Sequence, residues 1–174
     1  MEKGPNLKLG YLKERPAVAL LLGEFIARWS LAETAMMLPL QVALGSPTPE
    51  VVSGILSATN STEGKIKLLK VAVENMAASV EDKAALKRAV KKLEGLCEER
   101  NALCHHTWGF DAATAGAATV DFRKPDGPGR ITPRSEDYLR DLCNRTVEAA
   151  RDICAAADSK WVDDATVQLL RLEP

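Results

Sequence analysis

Histidine is nearly absent from this chain, and the usual motifs for metal, phosphate and redox chemistry are missing. Only two histidines occur in 174 residues, and Ala102 and Leu103 stand where the carboxylates of a Glu-x-x-His motif would be needed, which disfavours a di-iron bundle. The four cysteines, at positions 97, 104, 143 and 154, form no Cys-x-x-Cys pair, so none of the common zinc spacings is present. Cys97 and Cys104 fall about 10 Å apart on one predicted helix, beyond disulfide reach. All four read as free, mostly buried thiols in a reducing compartment. There is no Walker-type phosphate loop, no nucleophile elbow, no internal repeat and no low-complexity tract. The apolar stretch after Lys13 and Arg15 is interrupted by Glu24 and Arg28, so it reads as an ordinary first helix and not as a signal peptide or a membrane span. A cytoplasmic protein without membrane contact, cofactor or metal is the expectation. A formal charge of −1 and a pI near 6.2 argue against a protein that coats nucleic acid nonspecifically, while leaving room for a local basic groove.

What remains is a soluble, globular composition, 46% hydrophobic and 27% charged, long enough to bury a core as one domain over 1–174. Residues 1–15 read as an irregular lead. Pro16 is suited to open a helix that runs to about residue 44, with Pro39 kinking or dividing it. A short helix follows over 49–57. Asn60-Ser61-Thr62-Glu63 supplies capping groups for a helix reaching about residue 74, and a strongly periodic helix covers 82–106. Turn-forming Pro125-Asp126-Gly127-Pro128-Gly129, flanked by alternating segments, predicts a hairpin over 117–133. Ser135 caps the last long helix, whose apolar residues from Tyr138 to Ile153 recur at helical spacing. The tail, 160–174, holds a short apolar helix around Trp161. The expected fold is all-α, an up-and-down bundle of four to five helices with a small β-hairpin insertion before the last long helix.

Chemistry concentrates at the end of the 82–106 helix. Leu86, Ala89, Val90, Leu93, Leu96, Cys97, Leu103 and Cys104 mark one apolar face, and Arg100 falls within about 20° of Leu93, inside that stripe. An unpaired guanidinium there would cost several kcal/mol, roughly, so the position calls for an anion, a carboxylate or a wet cleft. Asn101 and His105 lie about 80° and 120° from Leu93 on the same wheel, bordering one surface with Arg100. His106 projects to the opposite side, among Arg88, Lys91 and Glu99, on solvent-facing positions.

The spacing Arg, Asn, three residues, His, together with Glu98-Glu99-Arg100-Asn101 and the later Trp108, resembles the Arg-x4-6-His motif of the HEPN superfamily. Trp29-Ser30-Leu31-Ala32-Glu33 resembles the first helix of that group, and the segment from Thr62 to Leu69 resembles the helix ahead of the motif. The resemblance covers most of the chain loosely, with its specificity in about ten residues. It implies a dimeric helical bundle that cleaves RNA without metal, the 2′-hydroxyl attacking its own phosphate to leave a 2′,3′-cyclic phosphate. In that scheme Arg100 grips the phosphate, Asn101 orients the site and His105 moves a proton, with Glu33, His106 and Trp108 as accessory candidates. Arginine matches phosphate oxygens with a planar fork, and histidine can take and give protons near neutrality. The implied partners are a second copy of the chain, an RNA substrate and, by analogy with toxin and defence systems, a protein antitoxin.

The same residues also have other readings. Arg100 can pair with Glu33, Glu24 or Asp137 on a neighbouring helix, with Asn101 and His105 capping the helix end. Alternatively, the bundle binds RNA, nucleotide or a protein partner without cleaving anything. Lysines crowd the polar faces of two successive helices (65, 67 and 70; 83, 87, 91 and 92), and with Arg123, Arg130 and Arg134 they are either solvated surface or a groove for an RNA backbone. Lys87, Lys91, Arg123 and Arg130 are the candidates for such contacts. The hairpin is either a decoration or a flap over the site. Trp29 and Trp108 read as core or interface anchors.

Overall fold

Val18, Leu21, Phe25, Trp29, Ala32 and Ala35 recur every three or four residues after Pro16 and are all buried in α1, Pro16–Ala35. The structure, a computed structural model, describes residues 7–8, 12–111, 116–122, 130–158 and 170–172. The main chain breaks at Met36 and resumes as α2, Met37–Ala43. The break therefore precedes Pro39, which sits in the first turn of α2. Amides there have no intrahelical partner, so proline forfeits nothing. Gly45 and Ser46, both at positive φ, turn the chain toward α3, Pro49–Ser57.

Ser61 accepts a hydrogen bond from the Gly64 amide at 3.0 Å and opens α4, Thr62–Asn75. Ser79 plays the same part for Asp82 at 3.1 Å, starting α5, Val80–His105, two residues earlier than the apolar periodicity predicts. Ser135 caps α6, Glu136–Ala156, through the Tyr138 amide. Each such cap contributes about 1 kcal/mol. Helix α1 packs most extensively on α6, and α5 lies against both α6 and α4. Phe25, Leu69, Leu93, Leu139, Leu142 and Ile153 are fully enclosed where these helices meet, each side chain contributing roughly 1.5–3 kcal/mol. The protein is thus a helical bundle with a small antiparallel insertion before its last helix.

That insertion is larger than a hairpin. Strands β2 (Thr107–Asp111), β3 (Ala117–Asp121) and β4 (Arg130–Pro133) form an antiparallel meander, beginning immediately after α5. The lead, expected to be irregular, supplies β1, Leu7–Lys8, to the free edge of β2, followed by a 3-10 turn over Leu12–Glu14. Ala117 to Val120 are buried, so β3 is covered on both faces. Most of the predicted C-terminal helix lies outside the described residues. At 170–172 the chain returns to the bundle, where the Leu172 amide and carbonyl bond to the Asn144 side chain at 2.9 and 3.1 Å. Among the described residues no helix is long and apolar enough to cross a membrane.

Candidate functional site

The last turns of α5 present different side chains to two sides. Toward α6, Glu99 accepts the Tyr138 hydroxyl at 2.7 Å and both carboxylate oxygens accept from Arg145 at 3.0–3.1 Å. Glu99, half-buried, is thus committed to interhelix bonding. Burial and the bond to Glu99 push the Tyr138 hydroxyl well above its ordinary pKa. The guanidinium of Arg134, a buried residue, lies 4.9 Å from the Tyr138 ring centroid and donates from Nε to Thr119 Oγ1 at 3.0 Å, joining β3 to the start of α6.

Arg100 is partly buried, and none of the carboxylates considered from sequence claims it. Glu24 pairs with Arg28, Asp137 is exposed at the start of α6, and Glu33 is occupied elsewhere. Arg100 Nη1 instead donates to Asn101 Oδ1 at 3.1 Å and lies 3.4 Å from His105 Nε2, while its Nε is enclosed with no protein partner. Arginine can only donate, so the contact suits a neutral imidazole whose Nε2 lone pair faces the guanidinium. Asn101 Nδ2 makes a weak contact with Cys97 Sγ at 3.8 Å, and burial raises the Cys97 thiol. His105 is exposed. The three residues singled out from sequence therefore meet at one point, with donors of Arg100 unspent.

Glu33 Oε1 accepts from Trp29 Nε1 at 3.0 Å and from the Thr62 hydroxyl, and Oε2 lies 3.6 Å from Lys65 Nζ. Partial burial alone would raise this carboxyl, yet the bonds from Thr62 and Trp29 and the charges of Lys65 and Arg100 outweigh it and hold Glu33 below the ordinary 4.5. Glu33 thus stands within electrostatic reach of Arg100 without pairing to it. On its other side opens a cleft of about 270 Å³, bordered by α1, the start of α2, α3 and α4 and lined in part by Ser30, Thr34, Met37, Leu56 and Lys65. The sequence reading missed this cleft. The Trp29-to-Glu33 spacing of one helical turn was the available signal for the carboxylate; nothing in the sequence placed α3 beside it.

His106 departs from expectation. It is the C-cap of α5, with ψ 155°, and Nε2 lies 3.6 Å from Asp121 Oδ2, both side chains largely covered. It ties the helix end to β3 and does not face solvent beside Arg88 and Lys91. Trp108 donates from Nε1 to the Leu103 carbonyl at 2.9 Å, an anchoring role, as expected. Cys104, placed on the apolar face by periodicity, is exposed, whereas the other three cysteines are buried.

The lysine-bearing faces of α4 and α5 do adjoin, but carboxylates share them. Lys67 pairs with Glu63, Lys70 with Glu94, Lys87 with Glu74 and Lys92 with Asp152. Lys91 is exposed on the same groove and has no ion-pair partner among the described residues. The backbone of Arg130 pairs with Asp121 in the sheet; its side chain, and Arg123 as a whole, lie outside the described residues. Among the described residues no cluster of three or more His, Cys, Asp or Glu is placed to hold a metal ion. Comparison with protein families, with curated proteins and with solved structures finds no match.

Proposed function

We propose that this protein is a HEPN-like, metal-independent endoribonuclease acting as a homodimer, with Arg100, Asn101 and His105 as its working residues. The observation that carries the reading is the 3.4 Å approach of Arg100 Nη1 to His105 Nε2, beside a guanidinium whose Nε has no protein partner. Because Nε is enclosed, a phosphate oxygen would be met at the Nη end of the guanidinium, beside the exposed His105. Once the phosphate engages the guanidinium, the Nε2 lone pair is free to take the proton of the RNA 2′-hydroxyl. The 2′-oxygen then bonds to phosphorus, the bond from phosphorus to the 5′-oxygen breaks, and that oxygen leaves protonated. The products are a 2′,3′-cyclic phosphate and a 5′-hydroxyl. A single histidine supplies the base, and a two-fold dimer would bring a second imidazole as the acid. A toxin or defence role with a protein antitoxin follows from the HEPN resemblance alone.

A second reading, a noncatalytic module that binds RNA, nucleotide or a protein partner, draws on the lysine–carboxylate pairing along α4 and α5, which leaves little uncompensated positive charge for an RNA backbone. Cleavage of mixed tRNA and of a structured RNA in EDTA, beside Arg100→Ala and His105→Ala, separates the two. Loss of activity in both variants, with cyclic phosphate ends on wild-type products, supports the nuclease. Absence of cleavage, or cleavage that survives both substitutions, rejects it for those RNAs and favours the binding module.

A further inference from the structure

The cleft between α1, the start of α2, α3 and α4 mixes polar and apolar lining. Glu33 Oε1 is filled by Trp29 and Thr62, but Oε2 has only Lys65 at 3.6 Å and keeps its acceptor capacity. Ser30 and Thr34 spend their hydroxyl protons on the Ile26 and Ser30 carbonyls, at 3.2 and 2.9 Å, so their oxygens are left as acceptors. Lys65 adds a cationic donor beside the carboxylate. Met37 and Leu56 contribute apolar lining. Ser53 and Ser57 also line the cleft, with hydroxyls that can donate or accept, so it combines the acceptors of Glu33, Ser30 and Thr34 with a neighbouring cation, two adaptable hydroxyls, apolar side chains and room for a ring system.

We infer that this cleft is a nucleobase subsite that selects guanine. The Watson–Crick edge of guanine presents a carbonyl followed by two N–H donors, the ring imino group and the exocyclic amine. Lys65 meets the carbonyl, Glu33 Oε2 accepts from the imino group, and the amine faces the hydroxyl oxygens. Uracil has one donor between two acceptors, and adenine and cytosine present a lone amine beside acceptors, so each leaves part of this acceptor set unfilled. Edge reading of a splayed base against apolar or aromatic side chains is the usual way single-stranded RNA is recognised. The substrate class, RNA, rests on the ribonuclease proposal, whereas the base pocket itself does not require Arg100 or His105.

Because a nucleoside lacks phosphate, it probes the cleft apart from the nuclease site. Guanosine, inosine and adenosine are titrated into the ¹⁵N-labelled full chain and followed by amide shifts. Guanosine is expected to shift amides around Met37 and Leu56 saturably and to bind about a hundredfold more tightly than adenosine, which loses both contacts to charged groups at roughly a factor of ten each, with inosine, which lacks only the amine facing the hydroxyl oxygens, intermediate. Glu33→Gln turns an acceptor into a donor and is expected to abolish the shifts. Lys65→Met keeps the aliphatic stem, leaves the Trp29 and Thr62 bonds in place and is expected to weaken binding about tenfold, so it decides the matter should Glu33→Gln fold poorly. Absence of saturable shifts, shifts elsewhere on the protein, or equal affinity for adenosine overturns the assignment. RNA cleavage without guanosine binding removes the subsite and leaves the nuclease standing; guanosine binding without cleavage does the reverse.

Discussion

The Tyr138 hydroxyl donates to Glu99 Oε2 at 2.7 Å, fixing the side of α5 next to Arg100 to the first turns of α6. Tyr138→Phe removes that donor while Arg145 still holds the carboxylate, so a loss of about 1–2 kcal/mol is expected. Urea unfolding of the two proteins measures it directly, and a change below about 0.3 kcal/mol would show that Arg145 alone carries the junction.

Trp108 fills one of the carbonyls that the last turn of α5 leaves open, that of Leu103. Trp108→Phe keeps an aromatic ring but not the donor, and should cost about 1–2 kcal/mol. The loss should be local as well as global: amide exchange at His105 and His106 should accelerate more than exchange at Leu93, in mid-helix.

Glu33 has a folded-state pKa below its ordinary value. Its contribution to stability is therefore complete above the unfolded value near 4.5 and is lost as the pH falls through the lower folded value. Glu33→Gln removes this dependence. The stability gap between wild type and variant is expected to be largest near neutrality and to shrink as the pH drops below about 4.5 toward 3, as urea titrations across that range would show. A gap that stays constant with pH would contradict the depressed carboxyl.

Arg100→Lys preserves the charge but replaces the planar fork with a point donor. If the ribonuclease reading holds, cleavage should fall about 10²- to 10³-fold, the range typical for loss of an oriented transition-state donor. Stability should change by less than about 0.5 kcal/mol, because no ion pair is broken. Parallel rate and unfolding measurements distinguish this from a general loss of fold.

Much of the bundle was legible because its signals are local. Ser61 and Ser135 announce α4 and α6, and the row of residues from Leu86 to Leu103 announces α5. The break after Ala35 was not, since no glycine or proline stands there, and Pro39 drew attention to a point where proline is tolerated. The convergence of Arg100, Asn101 and His105 followed from spacing within one helix. A helical wheel does not apply to His106, which lies one residue past the last helical position, where extended ψ accompanies an imidazole facing Asp121. Strand β2 was hidden by Gly109 and by its direct junction with the helix. The surroundings of Glu33 depend on packing between distant segments, which no short pattern encodes.

The short strand β1 pairs Leu7 with Asp111, across roughly a hundred residues, whereas β2, β3 and β4 are neighbours in the chain. Closing a loop of that length costs about 4 kcal/mol in chain entropy on the usual logarithmic scaling, and two residues of ladder return little of it alone. This edge of the sheet therefore closes only after the helices between have already brought its two ends together. Like the packing of α1 on α6, it belongs to the non-local part of folding, but with only two residue pairs to hold it, and the amides of β1 are expected to exchange before those of β3.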